Sequence, residues 1–150
     1  MGDIVSPEKR SEMMSGIRGK DTKPEMMIRS GLHNLGFRYK LHDRALPGKP
    51  DLKFTKYNAV VFVHGCFWHK HDCHLFKMPL TRSAFWEKKF ESNTSNDKKN
   101  MEILAKMGWR IAIIWECALR GKKSIELIDI LKTTDNWLKS KNRFLEIAGK

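Results

Sequence analysis

Ala59-Val-Val-Phe-Val-His64-Gly-Cys-Phe-Trp-His-Lys-His-Asp-Cys-His74 joins a short apolar run to a cluster of two thiols and four imidazoles. An apolar run of this length, bounded by polar turns, reads as a buried strand. A second run, Ile111-Ala-Ile-Ile-Trp115, leads into Cys117, the only other cysteine. Two neighbouring strand ends would deliver Cys66, His71, Cys73 and Cys117 together, a Cys3His set suited to tetrahedral zinc. The spacing C-x4-H-x-C is irregular, and the plain alternative is three small buried thiols beside solvated histidines. An odd thiol count completes no disulfide framework, and Met1-Gly-Asp-Ile-Val5 lacks the basic-then-apolar pattern of a secretory leader. A reducing cytoplasm is the expected location, and there a Cys/His cluster reads as a metal site.

The chain has 150 residues, 41% of them hydrophobic, which is enough for one domain around a single core. No apolar run approaches the roughly 20 residues of a membrane span. Lys and Arg number 29 against 17 Asp and Glu, a formal charge of +12 that favours a polyanion over a neutral metabolite as partner. Nucleic acid is the first candidate, because aromatic side chains are interleaved with the basic ones.

Ser6-Pro-Glu8 predicts a helix running to about Gly16, followed by a break over Gly16, Gly19, Asp21 and Thr22. Thr22-Lys-Pro-Glu25 has the form of a capping box, and Met27, Ile28, Leu32 and Leu35 make the apolar stripe of a second helix ending at Gly36. Phe37 to Leu41 alternates as a strand, Leu46 to Pro50 is a loop, and strands are predicted from Asp51 to Phe54 and from Val60 to His64. Helical periodicity appears around Phe85 to Phe90 and again from Asp97 to Met107. A strand over Trp109 to Trp115 and an amphipathic helix carrying Ile125, Leu127, Ile128, Ile130, Leu131 and Trp137 complete the order. The fold class is α/β, a short mixed sheet flanked by helices. Glu25 and Asp51 are acidic groups of the kind that hold a divalent ion beside a phosphate, although each also has a structural reading, Glu25 in the capping box and Asp51 in a turn.

The segments Leu46-Pro-Gly-Lys-Pro-Asp51, Val63-His-Gly-Cys-Phe-Trp-His69, Leu75-Phe-Lys77, Gly108-Trp-Arg110 and Trp115-Glu-Cys-Ala-Leu-Arg-Gly121 closely resemble the very short patch repair (Vsr) endonucleases. The resemblance covers roughly residues 6 to 140. It implies a restriction-endonuclease-like fold with a structural zinc site, and a single domain over 1–150 whose residues 1–22 form a DNA-gripping helix and linker. The implied activity is a magnesium-dependent nick in double-stranded DNA, 5′ to the thymine of a T:G mismatch produced by deamination of 5-methylcytosine. Mismatch-repair proteins and a repair polymerase are the implied partners, the expected state is a monomer, and the expected place is the bacterial nucleoid.

Carried over by position, the resemblance makes Asp51 the magnesium-ligating aspartate, His64 and His69 the active-site histidines, and Glu25 an acidic residue that helps order the metal's water. Cys66, His71, Cys73 and Cys117 match the zinc ligands. Val63 departs from the pattern, since a familiar member has threonine there, but a main-chain carbonyl ligand to magnesium would survive the change. Neutral His69 suits general-base work. Phe67, Trp68 and Trp86 match an aromatic wedge entering the base stack from the major groove, and Met14 offers a second wedge on the minor-groove side. Phe85, Trp86 and Phe90, at helical spacing, also read as core, whereas a ligand-dense loop leaves little room to bury both Phe67 and Trp68. Lys70, His74 and Lys77 read as part of a basic DNA surface, and His33 and His42 as ordinary helix and loop residues. Two other functions fit the same residues: a sequence-specific nicking or restriction endonuclease on matched DNA, and a zinc-stabilised DNA-binding module without catalysis.

Overall fold

The structure, a computed structural model, describes residues 22–150. The helix expected from Ser6 to Gly16, with Met13, Met14, Ile17 and Arg18, lies outside the described residues. The first described helix, α1, is Lys23–Asn34. Thr22 caps it, its side chain accepting a hydrogen bond from the Glu25 N–H at 3.4 Å, and Pro24 sits in the first turn, where no N–H is needed. The inward stripe is Glu25, Ile28 and Leu32, while Leu35 is exposed. A carboxylate therefore shares the face that packs on the core.

Of the strand expected over Phe37 to Leu41, only β1, Lys40–Leu41, pairs. Gly36 takes a φ of 100°, which turns Phe37 into the core against Phe54 and Tyr57, with ring centroids 6.0 and 5.7 Å away. β2 is Leu52–Phe54 and β3 is Ala59–His64, joined through a 3-10 turn and a left-handed Asn58. The two helical stretches read around Phe85 and after Asp97 are one helix, α2, Ser83–Lys106. Glu91 to Asn96 contains no Gly or Pro to break it, and fully buried Phe90 and Leu104 anchor its two halves. β4, Arg110–Trp115, is followed by the short α3, Glu116–Leu119, then α4, Leu127–Leu138, and β5, Phe144–Ile147. Neither α3 nor β5 is evident in the sequence pattern.

The sheet order is β1-β2-β3-β4-β5, antiparallel from β1 to β3 and parallel from β3 to β5. Alternation sends Val61, Ala112 and Ile114 into one core with α1 and α4, and Val60, Phe62, Ile111, Ile113 and Trp115 into a second core with Leu104 of α2. Burial on both faces explains why β3 and β4 read as continuous apolar runs. Their register pairs Ala59 with Arg110 and His64 with Trp115, so both strands end abreast. Among the described residues, no helix is long and apolar enough to cross a membrane.

Arg110 fastens the opposite end of the sheet. Its guanidinium donates to the carbonyls of Tyr57, Trp137, Leu138 and Asn142 at 2.8 to 3.3 Å and lies 4.6 Å from the Trp137 ring centroid. Burial lowers its pKa from the usual arginine value, but a guanidinium keeps its charge regardless. A lysine cannot reproduce five donors in a fixed fork. Arg110→Ala should lower unfolding free energy by roughly 3 kcal/mol, and Arg110→Lys should recover only a minor part of that loss. Denaturant midpoints at unchanged m-value would check this, and an Arg110→Lys protein as stable as the parent would contradict it.

Candidate active site and metal centre

Side-chain alternation sets His64 and Trp115 on one face of the sheet, and the residues just beyond, Cys66 in the loop and Cys117 on α3, pack into the same core. Phe62 and Ile113 share that face, on the α2 side. The loop after Cys66 folds back, with the His71 N–H donating to the Cys66 carbonyl at 2.9 Å and Lys70 in a left-handed conformation. His71 and Cys73 then meet the two strand-end cysteines. His71 Nδ1 lies 3.5 Å from both Cys66 Sγ and Cys117 Sγ, and the four ligand atoms fall within 4.8 Å of one another. Tetrahedral coordination with zinc-like bond lengths puts sulfur and nitrogen about 3.6 Å apart, so the donors fit such an ion. Burial raises the Cys66 and Cys117 thiol pKa values, a cost of ionisation that a bound cation would have to offset. Around the cluster, Glu116 Oε1 accepts from the Cys66 N–H at 3.1 Å, and the Gly149 N–H donates to Cys117 Sγ at 3.2 Å.

Trp115 ties this cluster to the histidines. Its ring stacks on His71 with centroids 4.0 Å apart, meets His64 edge-on at 5.2 Å, and is held by an indole N–H bond to Glu146 at 2.7 Å. His64 stacks in turn on His69, at 3.8 Å and 5° between planes. Burial, followed by the neighbouring His69 and His71, lowers the His64 pKa well below the usual histidine value, which favours the uncharged ring. His69 Nδ1 is hydrogen-bonded to the Asp97 carboxylate on α2. That bond fixes the tautomer and leaves Nε2 as an acceptor. Asp97 was not singled out from the sequence. Its signal was there: Phe90, Asn93, Asp97, Met101 and Leu104 follow helical spacing, so Asn93 and Asp97 occupy positions where a core stripe calls for apolar residues.

The carboxylates line the same cleft. Asp51 Oδ2 accepts from the Val63 N–H at 2.7 Å, so the contact seen at Val63 is through its N–H. Glu25, nearly fully buried, has its Oε2 2.9 Å from the Arg29 guanidinium and 2.7 Å from His42 Nε2. Burial, reinforced by Glu25, raises the Asp51 pKa above the ordinary carboxylate range despite the Val63 hydrogen bond. His42, expected as an ordinary loop residue, instead faces both carboxylates. Its Nε2 is 3.8 Å from Asp51 Oδ1, and Glu25, His42 and Asp51 form one potential cation site. His64, His69 and Asp97 form another close group, whereas His33 is exposed on α1.

Both groups line a cleft of about 1340 Å³ whose walls also include Phe67, Trp68, Trp86 and Asn93, with Lys23, Arg44, Lys49 and Arg120 supplying positive charge. The loop buries neither of its aromatics fully. Phe67 is half-buried among Trp68, Phe76, Trp86 and Phe90, with centroids 5.1 to 6.2 Å apart, and Trp68 lies 5.8 Å from Trp86. Of the helical trio, Phe90 is core, Phe85 is exposed and Trp86 is intermediate. Asn93 anchors the loop by donating to the Trp68 carbonyl at 2.9 Å. Lys70 and Lys77 are exposed and His74 is half-buried.

The family described as DNA mismatch endonuclease Vsr matches residues 2–75. The type II nicking enzyme V.XorIIP of Xanthomonas oryzae is 43% identical over 126 residues, covering 84% of this chain and 93% of the relative. The DNA mismatch endonuclease Vsr of Escherichia coli is 38% identical over 138 residues, 92% of this chain and 88% of its own length. The type II nicking enzyme V.NmeAIP of Neisseria meningitidis is 43% identical over 122 residues, 81% of this chain and 87% of the relative. On likeness that spans nearly the whole of each relative, the chain belongs to the Vsr family of DNA mismatch endonucleases.

Proposed function

We propose that this DNA endonuclease nicks double-stranded DNA 5′ to the thymine of a T:G mismatch left by deamination of 5-methylcytosine, with magnesium as its catalytic ion, and so begins very short patch repair. The observation that carries this reading is that the His69–Asp97 pair and the Asp51–Glu25 carboxylates line one basic cleft with aromatic side chains. Zinc in the Cys66, His71, Cys73 and Cys117 cluster is part of the same reading, as is a restriction-endonuclease-like core.

In this mechanism His69 takes the proton of the attacking water at Nε2, and Asp97 stabilises the imidazolium through Nδ1. His64, stacked on His69 and with its charged form disfavoured by burial, would add little repelling charge and would support the phosphate. A divalent ion, when bound, would stabilise negative charge developing on the phosphate. Asp51 and Glu25 would hold it, and Asp51 must first shed its proton, so its hold strengthens as pH rises. Lys23, Arg44, Lys49 and Arg120 attract the backbone without regard to sequence.

Recognition falls to the aromatics. A T:G pair stacks less stably than a matched pair, so parting the stack there costs less. Phe67 has four ring neighbours, and each such contact contributes about 0.5–1.5 kcal/mol beyond burial, so pulling it out of its cluster is unfavourable. The wedge is therefore a preformed ridge with Trp68 and Trp86 beside Phe67. Met14 is proposed to act from the other groove, on the segment 1–22.

Asp51→Asn and His69→Ala should each abolish nicking of a T:G duplex while leaving fold and salt-sensitive DNA affinity intact. Asp97→Asn should lower the single-turnover rate by about 10²–10⁴-fold with little change in binding. Substantial cleavage by folded Asp51→Asn or His69→Ala, or cutting of C:G and T:G duplexes at equal rates by the parent protein, would overturn the reading.

Trp68→Ala should remove about 1–3 kcal/mol of base stacking, and cutting of the T:G duplex should fall far more than non-specific binding does. Truncating exposed Lys70 should do the reverse, weakening all DNA binding and flattening its salt dependence. Equal losses for Trp68→Ala on matched and mismatched duplexes would make Trp68 a general packing residue.

A further inference from the structure

We propose that His42 is a third protein ligand of the catalytic metal, through Nε2, and that it shifts this centre's preference from magnesium toward later divalent ions such as Mn2+. The inference rests on the reading of Asp51 as a metal ligand. His42 follows β1 with φ at +47°, a left-handed conformation uncommon outside glycine, and its N–H donates to the Asp51 carbonyl at 3.1 Å. The turn interrupts strand alternation and points the imidazole into the cleft. Nε2 stands 2.7 Å from Glu25 Oε2 and 3.8 Å from Asp51 Oδ1. These separations bracket the roughly 3.0 Å edge of an octahedron built with bonds near 2.1 Å. Nε2 is also shielded from solvent without an aligned hydrogen bond, so its approach to Glu25 is close but is not a directed N–H···O contact. A ring nitrogen offering its lone pair to a shared cation accounts for both facts.

The chemical consequence follows from ligand type. Magnesium prefers oxygen donors and sheds water reluctantly, whereas an imidazole beside two carboxylates suits Mn2+, Fe2+ or Co2+. Exchanging the nitrogen donor for an amide should therefore weaken Mn2+ binding more than Mg2+ binding.

The test is Mn2+ titration of the full chain with its cysteine cluster zinc-loaded, read by calorimetry and by pulsed EPR for coupling to ¹⁴N. The parent protein should show histidine nitrogen coupling. His42→Gln should lose it and bind Mn2+ at least about tenfold more weakly, with a smaller change for Mg2+. His42→Asn, which tolerates the left-handed backbone better, should behave alike. Parent-like affinity and coupling in both variants would overturn the assignment, as would absence of ¹⁴N coupling in the parent, which would leave His42 a partner of Glu25 only. Asp51→Asn run in parallel separates the two claims. If it abolishes Mn2+ binding while the His42 variants keep it, only the His42 assignment falls; if it binds Mn2+ like the parent, the Asp51 reading falls and this inference with it.

Discussion

The parallel pairing of β3 with β4, in the register that sets His64 beside Trp115, is the constraint on which the site depends. A slip of one residue would send His64 to the opposite face of the sheet, away from α2. Extensive burial on both faces specifies that register strongly, because a slipped strand would move its whole apolar set. The two strands then stop together, and the residues just beyond them supply half of the cysteine cluster.

From that end, aromatic contacts run in one direction. His71 stacks on Trp115, Trp115 meets His64, His64 stacks on His69, and His69 is bonded to Asp97. The Cys/His cluster and the histidines are thus one packed unit. Disturbing His71 would move Trp115, and Trp115 has little freedom because Glu146 holds its indole N–H. The carboxylate side is built from the cap of α1 and the β1–β2 pairing, and it joins the histidine strand directly, because Asp51 accepts from the N–H of Val63 beside His64.

Much of this was legible in the residues. The apolar runs and the cysteines beyond them gave the strand pair and the cluster, since a period-two pattern leaves few alternatives for where its ends point. The helix starting at Thr22 was equally plain, but the capping-box reading covered only half of Glu25's setting: its N–H is capped, while its carboxylate turns to Arg29 and His42. His42 was passed over because its role depends on a left-handed backbone angle that no local pattern announces. Asp97 was hidden by a polar stretch that looked like a gap between helices, although the phase of α2 continues through it. The ring neighbours of Phe67 were not legible, because Phe76, Trp86 and Phe90 lie on segments whose approach only the fold decides.

The most direct test of the central claim, that the Cys66, His71, Cys73 and Cys117 cluster and the stacked His64 and His69 form one unit, is to remove one cluster residue and watch the other end. In Cys73→Ser, zinc content should fall below one equivalent per chain, Tm should drop, and the ring NMR signals of His64 and His69 should shift together, because structural metal binding is part of the folding free energy. A Cys73→Ser protein without metal that keeps the parent's Tm, histidine signals and nicking rate would contradict the account.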